Sequence, residues 1–452
     1  MTDFFNKLGD WIINVSDMIC GYPEFLLLIG GGLFLFFFSG FVSIRRLPNA
    51  IHALRSHQAQ ASGKDTGQIS SIQALLSAIA ATVGMGNIAG VAIALTIGGP
   101  GVIFWMWVSA ILGMATKFFE ASLSIMYKGR DSNGEVQGGM MYIITEGLGR
   151  KWRWLAVAFS CFGLVGTLCF MQANQLVEAV TTVFTTPAGI ENTAMLRLGM
   201  GVVIVLIVGS VILGGIGRIA KWTTRMVPMM VIMYLILVVV VISLNLDRIP
   251  SVVKSVFEGA FSMEAGFGAF ALVALTGARR AAYVNEAGIG TTSMMHGAST
   301  NPEPIREGLI AMVAPLIDSG FVCTLTAIPI LIAQSYVGVG DVKGLYISLN
   351  AFESLLPMGQ YLLMVIVFFF AFSTMFSYSY YGQKCTSFLF GAKNAKYYNY
   401  YYLATLLLAA VISLHTLVSI MDIAFALMAL CTMITIIKLS PRVKEQMKEY
   451  FK

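Results

Sequence analysis

Apolar residues run along this chain in long blocks divided by short polar stretches. About 20 apolar residues in a row carry a helix across a bilayer. By that measure eleven candidate spans follow one another, at 20–44, 70–98, 101–127, 152–183, 195–215, 224–246, 264–298, 304–334, 357–383, 397–414 and 417–438. Residues 131–149, 249–262 and 341–355 are too polar to span and are expected as loops or surface helices. The seventh block is polar at its far end and is expected to leave the membrane near Gly277.

The second block, Ser70 to Pro100, has an unusual middle: Thr82-Val83-Gly84-Met85-Gly86-Asn87. Two glycines, a threonine and an asparagine weaken helical propensity there and put polar groups where lipid cannot satisfy them. Two readings stay open at this point. Either the glycines serve close helix packing, or the chain unwinds and its bare amides and carbonyls hold a solute and an ion. A symmetry bears on the choice. Spans two to six and seven to eleven form two five-span blocks of similar length, and an odd number inverts the second relative to the first, as in many secondary transporters. The expected organisation is an N-terminal segment 1–69 with one extra span, a first repeat 70–246, a second repeat 247–438 and a tail 439–452. The second repeat should then also open on an interrupted helix. Glu264-Ala-Gly-Phe-Gly-Ala-Phe270, with Gly266 and Gly268 flanking Phe267, is the expected place.

Composition agrees with a polytopic membrane protein: of 452 residues 57% are hydrophobic and 12% charged. The first twenty residues carry acids and no basic region ahead of an apolar core, which does not read as a cleaved signal peptide. With the N-terminus outside, all but Lys7, Arg197, Arg248, Lys254 and Lys343 of the 29 Lys and Arg residues fall in inner segments. Basic residues accumulate on the cytoplasmic side, so this bias sets an N-outside, C-inside topology. It also explains the net charge of +6 without nucleic acid. The six cysteines have no CxxC pair or metal-ligand spacing, the four histidines lack carboxylate or cysteine partners at ligand spacing, and no P-loop supports ATP drive.

The chemistry of a broken helix is electrostatic. A half-helix starting at the site offers N–H groups to a carboxylate, here from Met85, Gly86 and Asn87; one ending there offers carbonyls to a small hard cation, here from about Ala80 to Val83. That suits a small zwitterion, whereas a polyanion would want buried arginines and none is expected in mid-span. Other polar groups in the spans are Gln172, Asn174 and Gln175, and the one-faced set Ser373, Thr374, Ser377 and Tyr378. Asp318 is a mid-membrane carboxylate and therefore a functional candidate. Lys117 and Glu120, three residues apart, are expected to pair structurally, and Glu178 and Asp422 lie towards outer ends.

These residues resemble the alanine or glycine:cation symporter family, the sodium:alanine symporters. The likeness covers most of the chain and rests on VGMGNIAGVAIAL and the segment after it to residue 128, GGMMYI at 138–143, VNEAGIGTTSMMHGAS at 284–299, IDSGFVCTLTA at 317–327 and FAFSTMFSYSYYG at 370–382. It implies an all-α, leucine-transporter-like fold of two inverted five-helix repeats plus one N-terminal helix. It implies sodium-coupled uptake of alanine, glycine or a similar small neutral amino acid at the cell membrane by alternating access, with no enzymatic activity and sodium as the coupling ion. The resemblance puts Gly84, Met85 and Gly86 around the substrate carboxylate, and Gln172, Phe267, Thr374 and Tyr378 in the pocket wall. Asn87 would lend its side-chain oxygen to one sodium site; Ser373 and Thr374 with backbone oxygens of Ala80 and Val83 would form another, and Asp318 is a further cation candidate. Asn285 and Glu286 are expected near the cytoplasmic mouth in a gating or structural role. Proton coupling through Asp318 or Glu178, and an amino-acid-permeable channel, are the rival readings.

Overall fold

The computed structural model describes residues 11–16, 18–56, 67–262, 267–338, 344–411 and 415–452. Apart from a two-stranded hairpin (Gly129–Arg130 with Val136–Gln137) and an isolated bridge between Ile69 and Ser299, the described chain is helical. In chain order the helices that matter here are α1 (Pro23–Phe38), α2 (Ser71–Thr82), α3 (Met85–Gly98), α4 (Val102–Met126), α5 (Arg150–Thr185), α6 (Ala194–Ile212) and α7 (Gly215–Leu244). They continue with α8 (Ile249–Phe261), α9 (Phe267–Asn285), α10 (Thr291–His296), α11 (Pro304–Ala333), α12 (Gly344–Leu355), α13 (Gly359–Phe390), α14 (Ala395–Val411) and α15 (His415–Tyr450).

Seven of these are long and apolar enough to cross a membrane, namely α4, α5, α6, α7, α11, α13 and Val418–Tyr450 of α15, and the bent pair α2 and α3 adds an eighth. The three other expected spans correspond to α1 and α14, which are short, and to α9, which carries Arg279 and Arg280. Segment 249–262 contains the largely exposed α8, as a surface helix was expected to; α12, in segment 341–355, instead buries Leu345, Ile347, Leu349 and Phe352. The bundle has a core and a rim. In the most apolar stretch of α4 and of α13, 72% of residues are buried, against 33% in α6 and α7. Exposed Leu206 and Ile236 give those rim helices the apolar outer face that lipid requires. Helix α2 packs against α7 and α13, and α9 against α4 and α3, so both helices with a break run through the middle.

Candidate substrate and cation site

The first break is built by its own sequence. Ser70 opens α2 with a capping box: its hydroxyl accepts from the Gln73 amide (3.2 Å) while Gln73 Oε1 accepts from the Ser70 amide (2.9 Å). The helix stops at Thr82. Val83 and Gly84 are extended, and α3 restarts at Met85, bent by 44° from α2. Asn87 secures the restart, because its Oδ1 accepts from the Gly84 amide (2.9 Å) and its own amide donates to Gly84 O (3.0 Å). The amides of Met85 and Gly86 therefore lead the positive end of α3.

A second break faces the first. Helix α9 ends at Asn285, Glu286 takes a left-handed conformation (φ 53°), Gly288 and Gly290 have φ of 89° and 102°, and α10 begins at Thr291. Glu120 on α4 holds this break open, its carboxylate accepting from the amides of Ser293 (3.0 Å) and Gly288 (3.3 Å). This interruption lies about twenty residues beyond the Gly266–Gly268 stretch where a break is expected. Residues 263–266 and the Phe267 side chain lie outside the described residues, and Phe267 itself opens α9. Asn285 and Glu286, expected near the cytoplasmic mouth, form this break. Glu120 accepts from its amides instead of pairing with Lys117, whose buried ammonium has no hydrogen-bond partner among the described residues.

Between the breaks lies a cavity of about 490 Å³, within the range of small-molecule sites. Its wall includes Ala81, Thr82, Gly84 and Gly86 of the first break, Glu286 of the second, Gln172 and Met171 of α5, Tyr378 of α13, and Asp422 and Phe425 of α15. From the break it follows α3 past Gly90 to Ile97, and no residue of α2 before Ala81 lines it. Gln172 Oε1 is buried without a hydrogen-bond partner, an acceptor available to a ligand's N–H. Tyr378 donates to the Glu286 carboxylate, which also accepts from the Thr291 hydroxyl (2.7 Å).

Of the expected site residues, Gly84, Gly86, Gln172 and Tyr378 line this one cavity. Met85 and Val83 are fully buried beside it. Thr374 lies behind the break, with Oγ1 3.1 Å from Ala80 O and 3.0 Å from Phe370 O, so the hydroxyl and the Ala80 carbonyl meet where expected. The Ser373 hydroxyl donates to Phe370 O (3.1 Å) and lies 3.7 Å from Met230 Sδ. The Asn87 amide group donates to the Asp318 carbonyl (3.4 Å). Asp318 is buried behind Asn87, its Oδ1 accepting from the Ser319 amide and its Oδ2 unpartnered. Among the described residues no cluster of three or more His, Cys, Asp and Glu side chains could hold a metal ion, so carbonyl and hydroxyl oxygens carry the cation candidates.

Arg280, half-buried on the cavity wall, corrects the expectation that no arginine would be available there. Its guanidinium donates to Gly86 O (2.9 Å) and lies across Gly90 so closely that a Cβ there would be 1.3 Å from it. Arg279, Tyr283 and Asp422 join it on the wall, and Tyr283 donates to the Asp422 carboxylate. In the sequence the paired charges of Arg279 and Arg280 read as the polar end of the seventh span, which places them in an inner segment. Gly288 and Gly290, a second glycine pair inside a polar motif, were the signal that would have moved the break.

The chain is similar over residues 5–452 to the profile described as the sodium:alanine symporter family. It is 37% identical over 446 residues to the sodium/alanine symporter AgcS of Methanococcus maripaludis, covering 97% of this chain and 96% of that one. Among solved structures it resembles MhsT in complex with L-phenylalanine, with a TM-score of 0.63 at 14% identity, covering 83% of this chain and 90% of MhsT. It also resembles a Na+-coupled sialic acid symporter in a substrate-bound outward-open state (TM-score 0.53, 13% identity, 87% and 82% covered). The shared fold agrees with the leucine-transporter-like architecture expected from the sequence.

Proposed function

Because this chain belongs to the sodium:alanine symporter family, and so is a multi-pass cell-membrane protein and a cation-coupled amino-acid symporter, we propose that it couples sodium entry to uptake of alanine, glycine or a similar small neutral amino acid. The observation that carries this reading is the polarity of the cavity. The Met85 and Gly86 amides at the start of α3 suit a carboxylate, and the unpartnered Gln172 Oε1 suits an ammonium group. A zwitterion satisfies both ends.

On this reading one sodium ion binds beside Asn87, with Asp318 behind it, and another between Thr374, Ser373 and the carbonyls of Ala80 and Val83. Residues 70–246 and 247–438 act as inverted five-span repeats that alternately open the cavity to either side, with 1–69 adding the eleventh span and 439–452 lying on the cytoplasmic face. A monovalent cation crossing 100 mV releases about 2.3 kcal/mol, enough for roughly a 40-fold gradient of a neutral solute.

The test is uptake of labelled alanine into proteoliposomes under sodium, potassium or proton gradients, competed with other amino acids. Saturable uptake that needs an inward sodium gradient is expected. Uptake indifferent to sodium but abolished by collapsing a pH gradient would replace sodium with protons, and a conductance that does not saturate with alanine would make the protein a channel.

A further inference from the structure

Helix α2 is joined to the rest of its own span only through Val83 and Gly84, so what fixes its other end matters. That end is held by one buried carboxylate. Glu307, near the start of α11, is fully buried and gathers four donors from two other parts of the chain. Its Oε2 accepts from Ser71 Oγ (2.7 Å), Asn301 Nδ2 (3.0 Å) and Ser299 Oγ (3.1 Å), and its Oε1 lies 2.7 Å from His296 Nδ1. Ser71 is the first residue of α2; His296 ends α10, and Ser299 and Asn301 follow it.

The backbone runs parallel to this knot. Gln68 and Ile69 donate to Ala298 O (2.8 and 3.2 Å), and Thr300 donates to Ile69 O (2.8 Å). Lys128, just past α4, donates to Ser299 O (2.6 Å); burial pushes its ammonium down to about 8, with the Glu307 charge opposing. A charge buried this deeply is tolerable only while its acceptors are filled, so the donors and the carboxylate keep one another in place.

Along α2 the cavity stops at Ala81, and Ser77, Ala78, Ile79 and Ala80 beyond it are buried. A solute therefore leaves by that end only when the start of α2 parts from the 296–301 segment. We propose that Glu307 is the latch of the inner gate: it holds Ser71 against His296, Ser299 and Asn301, and its release of Ser71 opens the inner route. This rests on the alternating-access reading above.

The experiment reads the gate without any substrate. In the full chain with the exposed Cys161 changed to Ser, Leu75→Cys places a thiol at a buried position one turn into α2. Its rate of reaction with a membrane-impermeant maleimide is compared with and without Ser71→Ala, Glu307→Ala and His296→Gln. At least a fivefold faster reaction is expected for Ser71→Ala and a larger increase for Glu307→Ala. An unchanged rate in Ser71→Ala and His296→Gln overturns the latch, whether or not Glu307→Ala folds, because those two variants leave the buried carboxylate in place. Alanine uptake by the unmodified chain is measured separately. Sodium-driven uptake with an unchanged labelling rate removes the latch alone, and faster labelling without uptake removes the substrate assignment alone.

Discussion

The Tyr378 hydroxyl donates to the carboxylate of Glu286, tying α13 to the break between α9 and α10 on the wall of the cavity. Both groups are buried in that wall. Tyr378→Phe leaves Glu286 with only the Thr291 hydroxyl and frees its carboxylate to turn towards the bound amino acid. Hydrogen bonds to charged groups contribute about 1.5–3 kcal/mol. The KM for alanine should rise roughly tenfold or more in uptake kinetics, and wild-type KM and maximal rate in this variant would separate the pair from substrate binding.

The two glycines of the first break are expected to fail differently. A Cβ on Gly84 would sit 2.5 Å from Thr374 Oγ1, whereas one on Gly86 meets nothing closer than the Arg280 guanidinium at 3.6 Å. Gly84→Ala therefore pushes α13 away from the break and should lower both uptake and thermal stability, in line with the 1–3 kcal/mol typical of overpacking. Gly86→Ala should keep the unfolding midpoint and lose alanine affinity, because its methyl group enters the cavity. Gly86→Val should abolish binding. Melting curves beside uptake assays decide this, and equal losses of stability in both alanine variants would reject the distinction.

Thr374 offers a test of the cation site. Its hydroxyl and the Ala80 carbonyl are 3.1 Å apart, close enough to share one ion. Thr374→Ala should raise the sodium concentration for half-maximal uptake about five- to tenfold, from loss of one oxygen ligand at about 1 kcal/mol or more, and Thr374→Ser should restore it. Asn87→Ala should weaken sodium dependence as well, and also remove the cap on the Gly84 amide, at about 1 kcal/mol of stability. Sodium activation curves that coincide with wild type in both alanine variants would clear these residues of the role.

How much of this was legible beforehand depends on whether a signal was local. The first break was, since Gly84, Gly86 and Asn87 write both the interruption and its cap into six residues. So was the meeting of Thr374 with Ala80, once the family likeness was recognised. The second break was not, because Arg279 and Arg280 imitate the end of a span. Arg280 instead lies against a carbonyl at Gly86 and a groove at Gly90, nearly two hundred residues earlier. Glu307 was missed for the same reason: its donors at Ser71 and His296 come together only in the folded bundle.

Gly90 and Arg280 make the sharpest pairwise prediction. A methyl group at position 90 would overlap the guanidinium, at 1.3 Å from its nearest nitrogen and 1.7 Å from Cζ. Arg280 would be driven from Gly86 O and left half-buried on the cavity wall without its acceptor. Gly90→Ala should thus abolish uptake and lower the unfolding midpoint. In an Arg280→Ala background the same change has nothing to strike, so the two substitutions should be strongly non-additive, with Gly90→Ala close to neutral in both readouts. Such coupling of up to about 3 kcal/mol is typical of residues in direct contact. Additive losses in the double variant would mean that Arg280 does not occupy the Gly90 groove in the working transporter.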